Sequence, residues 1–160
     1  MWTVLLATWL ASPGPDTTHW LTRAAVPEVS LHTLTGEPVA VPWANRDTVV
    51  VLWAAWCGPC VSELPVLADA IQRTGRNGLP VTLVSVDEQP KMAQKVLKRA
   101  VRNAPAWTSV WGGPSVAGHF GARTLPTTLV VSAQGTVKSV WTGHQDLAEW
   151  QAILTTEATP

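Results

Sequence analysis

The chain contains two cysteines, Cys57 and Cys60, three positions apart. They stand between an apolar run, Val49-Val50-Val51-Leu52-Trp53, and an amphipathic run that begins at Val61. A strand followed by a helix places a thiol at the helix N-terminus, where the positive end of the helix dipole favours the thiolate. With that and partial exposure, Cys57 is the expected attacking sulfur, and Cys60, one helical step inward, is placed to resolve a mixed disulfide. Gly58 and Pro59 suit the tight bend and the first helical turn, where a missing N–H costs little. Stapling is a weak use of the pair, because so short a loop contributes roughly 2 kcal/mol against about 3 for a 15-residue loop. Metal binding needs more ligands, and His19, His32, His119 and His144 have no ligand spacing to the cysteines. The expected site is therefore a dithiol/disulfide, with no metal and no cofactor besides the Cys57–Cys60 bridge. Two alternatives use the same residues: a thiol peroxidase, which wants a Thr-x-x-Cys setting absent before Cys57, and a metal- or peptide-binding module.

The elements that must hold these sulfurs follow from periodicity. Thr48 to Trp53 is nearly continuous in apolar residues, as a strand covered on both faces should be. A helix from about Pro59 to Arg73 aligns Cys60, Leu64, Leu67, Ala68 and Ile71 on one face, with a kink expected at Pro65. Before the site, Val29–His32 and Val39–Val41 flank a Thr35-Gly36-Glu37-Pro38 turn and predict a short hairpin. After it come a strand over Val81–Val86 and a helix over Lys91–Ala104. That helix has Val96, Leu97, Ala100, Val101 and Ala104 inward. Its outward Lys91, Lys95, Lys98, Arg99 and Arg102 read as a solvated face, a docking surface for an acidic partner being the alternative. Trp107–Trp111 predicts a strand and Ser115–Phe120 a short helix. Thr127–Val131 and Val137–Trp141 form a hairpin around Ala133-Gln134-Gly135. Asp146 and Glu149 form a capping box opening a last helix to about Leu154. This order puts the cysteines at the C-terminal end of a central strand, where open α/β sheets bind ligands.

At 160 residues the chain suits one domain with a substantial core. Hydrophobic residues at 46% against charged residues at 14% exclude disorder. Eleven basic residues balance eleven acidic ones, which gives no electrostatic footprint for nucleic acid or an anionic membrane surface. Ten Trp beside one Phe and no Tyr read mainly as core filling and sequence bias, some Trp lining a binding surface being the alternative. Met1 to Ala11 is apolar but too short to span a bilayer, which takes about 20 residues. It resembles the h-region of an export signal, although no Lys or Arg occurs before Arg23.

The stretch Val51-Leu52-Trp53-Ala54-Ala55-Trp56-Cys57-Gly58-Pro59-Cys60 resembles the active-site segment of the thioredoxin superfamily. Cys57 through Pro65 reads C-G-P-C-x-x-E-x-P, similar to the TlpA/ResA branch of extracytoplasmic thiol–disulfide oxidoreductases, and Leu125-Pro126-Thr127-Thr128 resembles that branch's cis-proline segment. The resemblance implies a thioredoxin-like three-layer α/β/α sandwich over residues 27–160, with a central mixed sheet and an added N-terminal β-hairpin. Residues 1–26 would be an export signal or short anchor plus linker. It further implies that Pro126 is cis and lies beside Cys57, and that Leu125 offers its backbone to an extended partner segment. Glu63 matches the branch's acidic residue; three positions after Cys60 it is adjacent on a helix and placed to accept or relay that thiol's proton. Trp56 reads as a lid at the edge of the site, with plain core packing as the alternative. Gly58-Pro59 resembles the redox-tuning pair of reducing thioredoxins. Thioredoxin itself has a buried Asp where this chain has Val51, which turns the likeness toward exported relatives. The implied protein is monomeric and reduces protein disulfides outside the cytoplasm, with apocytochrome c thiols as one substrate class. A membrane thiol–disulfide carrier would recharge it.

Overall fold

The computed structural model describes residues 23–103 and 105–156. Most of the expected export segment, residues 1–22, and the inward placement of Ala104 lie outside the described residues.

The apolar run becomes β3 (Thr48–Trp53), every residue of which is buried. It is central because it has neighbours on both sides: β4 (Val81–Ser85) in parallel and β6 (Thr127–Val131) antiparallel. Beyond β4 lies β5 (Trp107–Trp111), also parallel, and beyond β6 lies β7 (Val137–Thr142), antiparallel. The expected N-terminal hairpin forms from β1 (Leu31–Thr33) and β2 (Pro38–Val39) and is shorter than its apolar pattern suggested. It joins the sheet through β1 and β5, with His32 opposite Trp111 and Thr33 opposite Val110. The result is one mixed seven-stranded sheet in the order β2-β1-β5-β4-β3-β6-β7. Residues 23–26, counted with the linker from sequence, are tied to the far edge of this sheet. Arg23 N–H donates to Val137 O at 2.7 Å and Val26 N–H to Gly135 O at 2.8 Å.

Helix α1 (Gly58–Thr74) continues as one element through Pro65, which is exposed. Its inward face carries Cys60, Glu63, Leu64, Leu67 and Ala70. Helix α2 (Pro90–Ala100) stops four residues short of the periodic pattern, because Val101 turns extended (φ −132°, ψ 114°) and Pro105 beyond it cannot continue a helix. Its one fully buried residue is Ala93, while Val96, Leu97, Ala100 and Val101 are only half-buried. The five basic residues of that stretch are exposed and make no ion pair among the described residues. After the one-turn helix α3 (Ser115–His119) and the β6–β7 hairpin, α4 (Leu147–Leu154) opens on the expected capping box. Asp146 Oδ1 accepts from Glu149 N–H at 2.8 Å, and Glu149 Oε2 accepts from Asp146 N–H at 2.7 Å. That start fixes α4 against α1 and buries Trp150, Ile153 and Leu154. No helix among the described residues is long and apolar enough to cross a membrane.

Candidate active site

Where β3 ends, the chain makes a turn closed by Cys57 N–H donating to Ala54 O at 3.1 Å. Cys57 is the N-cap of α1. Its backbone is extended (φ −87°, ψ 104°) and its Sγ accepts from Cys60 N–H at 3.3 Å. The sulfur thus sits on the free donors of the helix end, the setting that favours a thiolate when the pair is reduced. The two cysteines are joined as a disulfide, their Cα atoms 5.2 Å apart. Both are buried, Cys57 at 7% and Cys60 at 3% exposure, so the expected partial exposure of Cys57 is corrected: the sulfurs are recessed at the head of the helix. What projects is Trp56, 65% exposed. Gly58 keeps an ordinary negative φ and a Cβ built there meets nothing within 4 Å, so the bend does not require glycine.

Cys57, and not Cys60, opens onto a groove of about 540 Å³. Trp56, Pro59, Val86, Ala117 and Leu125 line it together with Cys57. The Leu125–Pro126 peptide bond is cis, with Pro126 buried and Leu125 half-buried. The structure therefore gathers Trp56, Cys57, Pro59 and Leu125, which sequence spreads over 70 positions, around one opening. His119 stays exposed on α3.

Glu63 lies on α1 one turn beyond Cys60 and is 3% exposed, which rules out an ordinary surface carboxylate. Its Oε1 accepts from Gln145 N–H at 2.6 Å and from the Trp150 indole N–H at 3.1 Å. Burial outweighs these two bonds and, with a smaller push from Glu149, raises the Glu63 pKa from 4.5 to about 7. A carboxyl poised near neutrality and one helical turn from the resolving thiol is suited to exchange a proton with it.

Asp87, just beyond the strand expected over Val81–Val86, is a site residue that the sequence patterns do not single out. It is fully buried. Both its carboxylate oxygens accept from Ala55 N–H at 3.0 Å, and Oδ2 accepts from Ser85 Oγ–H at 2.7 Å. The Trp111 indole donates to its backbone carbonyl at 2.7 Å. Asp87 thereby clamps the β3–α1 turn to the end of β4, two residues before Cys57. A signal was present in sequence: an acid directly following a buried apolar strand. Asp87→Ala leaves the Ala55 N–H and the Ser85 hydroxyl without an acceptor, and is expected to destabilise the protein by about 2–4 kcal/mol. Urea denaturation of the oxidised protein measures this; an unchanged midpoint would show that the clamp is dispensable. Among the described residues no group of three or more His, Cys, Asp or Glu side chains is placed to hold a metal ion.

A recessed Cys-x-x-Cys disulfide at a helix N-terminus, opening onto a groove that Leu125 of a cis Leu125–Pro126 bond also lines, on a mixed sheet, defines a thiol–disulfide oxidoreductase of thioredoxin-like fold. The sequence model of the Redoxin family matches residues 22–153, and the chain belongs to that family. It is similar to Sporulation thiol-disulfide oxidoreductase A of Bacillus subtilis, 26% identical over 80% of this chain and 81% of that one. It is likewise similar to Thiol-disulfide oxidoreductase ResA of Geobacillus thermodenitrificans, 25% identical over 75% of this chain and 68% of that one. Among solved structures it shares its fold with a thiol:disulfide interchange protein of the thioredoxin family from Chlorobium tepidum. That match has a TM-score of 0.61 and 23% identity, and covers 90% of this chain and 97% of the other.

Proposed function

We propose that this protein works in the reducing direction, on disulfides presented by extended segments of other proteins outside the cytoplasm. The observation that carries the reading is the pairing of a groove-facing Cys57 with a buried Glu63 behind Cys60. One sulfur meets the substrate, and the other is served by a proton acceptor that no substrate reaches. In the reduced protein the Cys57 thiolate attacks one sulfur of a substrate disulfide and expels the other as a thiolate. The mixed disulfide lies between Trp56 and Leu125–Pro126. Cys60 gives its proton to Glu63 and attacks Cys57 Sγ, which re-forms the Cys57–Cys60 bridge and releases the second substrate thiolate. Two electrons have passed to the substrate, whose two thiolates take up two protons. A carrier dithiol at the membrane then returns two electrons to Cys57–Cys60.

The similarity to ResA and to the sporulation oxidoreductase supports an extracytoplasmic site of action, with an export signal or anchor plus linker ahead of a monomeric working domain that takes in the sheet-bound residues 23–26. The branch resemblance of the C-G-P-C-x-x-E-x-P motif adds apocytochrome c thiols, before haem attachment, as one substrate class. Trapping tests the reading. Cys60→Ala expressed in cells is expected to accumulate mixed disulfides on Cys57 that reductant releases and that include exported proteins. A variant that stays free of adducts, while its Cys57 still reacts with a small disulfide, would refute a protein-reducing role.

A further inference from the structure

The groove at Cys57 is lined mostly by apolar residues, and Arg123 is the only charged side chain among the described residues lining it. Arg123 is exposed and forms no ion pair or hydrogen bond among the described residues. It stands two positions before Leu125, which lines the same groove. Other exposed cations among the described residues are placed elsewhere: Arg73 pairs with Asp69 at 3.0 Å, Lys91, Lys95, Lys98 and Arg99 lie on α2, and Arg23, Arg46, Arg76 and Arg102 do not line the groove. A lone guanidinium at the rim of an apolar cleft leaves the electrostatic part of recognition to one residue. It attracts a carboxylate and repels an ammonium carried by whatever segment lies across Cys57. Trp56, Val86, Ala117 and Leu125 offer that same segment an apolar surface. We infer that Arg123 sets substrate preference, selecting extended disulfide-bearing segments with an apolar residue beside the cysteine and an Asp or Glu close to it. The inference rests on the protein-reducing reading and names the substrate class of that site.

Three synthetic peptides test it, each with one intermolecular disulfide and an apolar neighbour to the cysteine. They are identical except for Glu, Gln or Lys two residues from the cysteine, and are made in both directions along the chain. The wild-type protein, reduced and supplied with them in competition at low ionic strength, is expected to favour Glu over Gln and Gln over Lys. Each step is about two- to fivefold in kcat/KM, as exposed ion pairs give. The order should flatten in high salt. Arg123→Glu reverses the order to Lys over Gln over Glu, a reversal that altered folding or altered thiol reactivity does not produce. Equal rates for all three peptides with the wild type, or the same order in Arg123→Glu, overturn the inference and leave the function reading intact. A wild-type protein that reduces none of the peptides but reacts with a small neutral disulfide overturns both.

Discussion

Cys57→Ser is expected to bring disulfide reduction down to the rate of the reductant alone. Measured as insulin precipitation in the presence of dithiothreitol, the variant's trace should overlay that of the buffer control. The expectation rests on which sulfur can be reached. Cys57 lines the groove, whereas Cys60 is 3% exposed, lies on the inward face of α1 and is not part of the lining. A serine hydroxyl does not ionise near neutral pH and cannot replace a thiolate as nucleophile. The remaining thiol is then held behind the helix end, away from any substrate. Failure to fold does not confuse the result, since Ser is among the preferred N-caps and its Oγ can accept the Cys60 N–H that Cys57 Sγ accepts now. The companion substitution behaves differently. Cys60→Ala keeps the attacking sulfur and stops at the mixed disulfide, so a single round of attack survives where turnover does not. Insulin reduction by Cys57→Ser above the control would mean that Cys60 attacks directly, and the assignment of roles would have to be exchanged.

What sequence made legible in this protein is whatever a local pattern decides. β3 announced itself because a strand covered on both faces must be apolar at every position, and Val49 to Trp53 is. α1 followed from 3.6-residue spacing, and the start of α4 from a capping box whose partners lie three residues apart. The place of Leu125 in the groove came from a motif, because nothing in the composition of that segment points to Cys57. Local pattern misled where it outran the backbone. Val101 fits the apolar face of α2 by period, yet its φ and ψ are those of an extended chain. Long-range partners were out of reach altogether. The motif singles out Glu63, but its burial depends on α4 bringing Trp150 and the β7–α4 loop bringing the Gln145 N–H, 87 and 82 positions away. Asp87 is similar, since its role depends on the Ala55 amide arriving from β3, 32 positions earlier. Arg123 reads as one loop cation among eleven basic residues, and only the shape of the groove singles it out.

Glu63→Gln is expected to separate the structural part of this carboxylate from its chemistry. Both of its hydrogen bonds end on Oε1, so the amide oxygen of Gln can accept from Gln145 N–H and the Trp150 indole alike, and the fold should be retained. Stability will nevertheless respond to pH differently. The folded-state pKa of about 7 lies above the ordinary 4.5, so the folded protein holds a proton that the unfolded chain has released. The stabilising contribution is therefore fully present below pH 4.5 and is lost as pH rises through 7. The shift corresponds to roughly 3 kcal/mol at most, at 1.36 kcal/mol per pKa unit. In urea titrations the wild-type protein should weaken between about pH 5 and pH 8, and Glu63→Gln should stay level over that window. Rate gives the second readout. With Glu63 as acceptor of the Cys60 proton, resolution of a preformed mixed disulfide on Cys57 should rise through pH 7. In Glu63→Gln it should be slower at neutrality by about 100-fold, the lower end of what a positioned general base contributes. The variant's rate should then recover only at alkaline pH, where Cys60 ionises unaided. A flat stability profile with an unchanged resolution rate would make Glu63 a buried anchor for α4 and nothing more. Loss of rate with the stability slope intact would mean that a different group carries the titration near 7. Only the loss of both features together ties the proton that burial holds on Glu63 to the proton that Cys60 must give up.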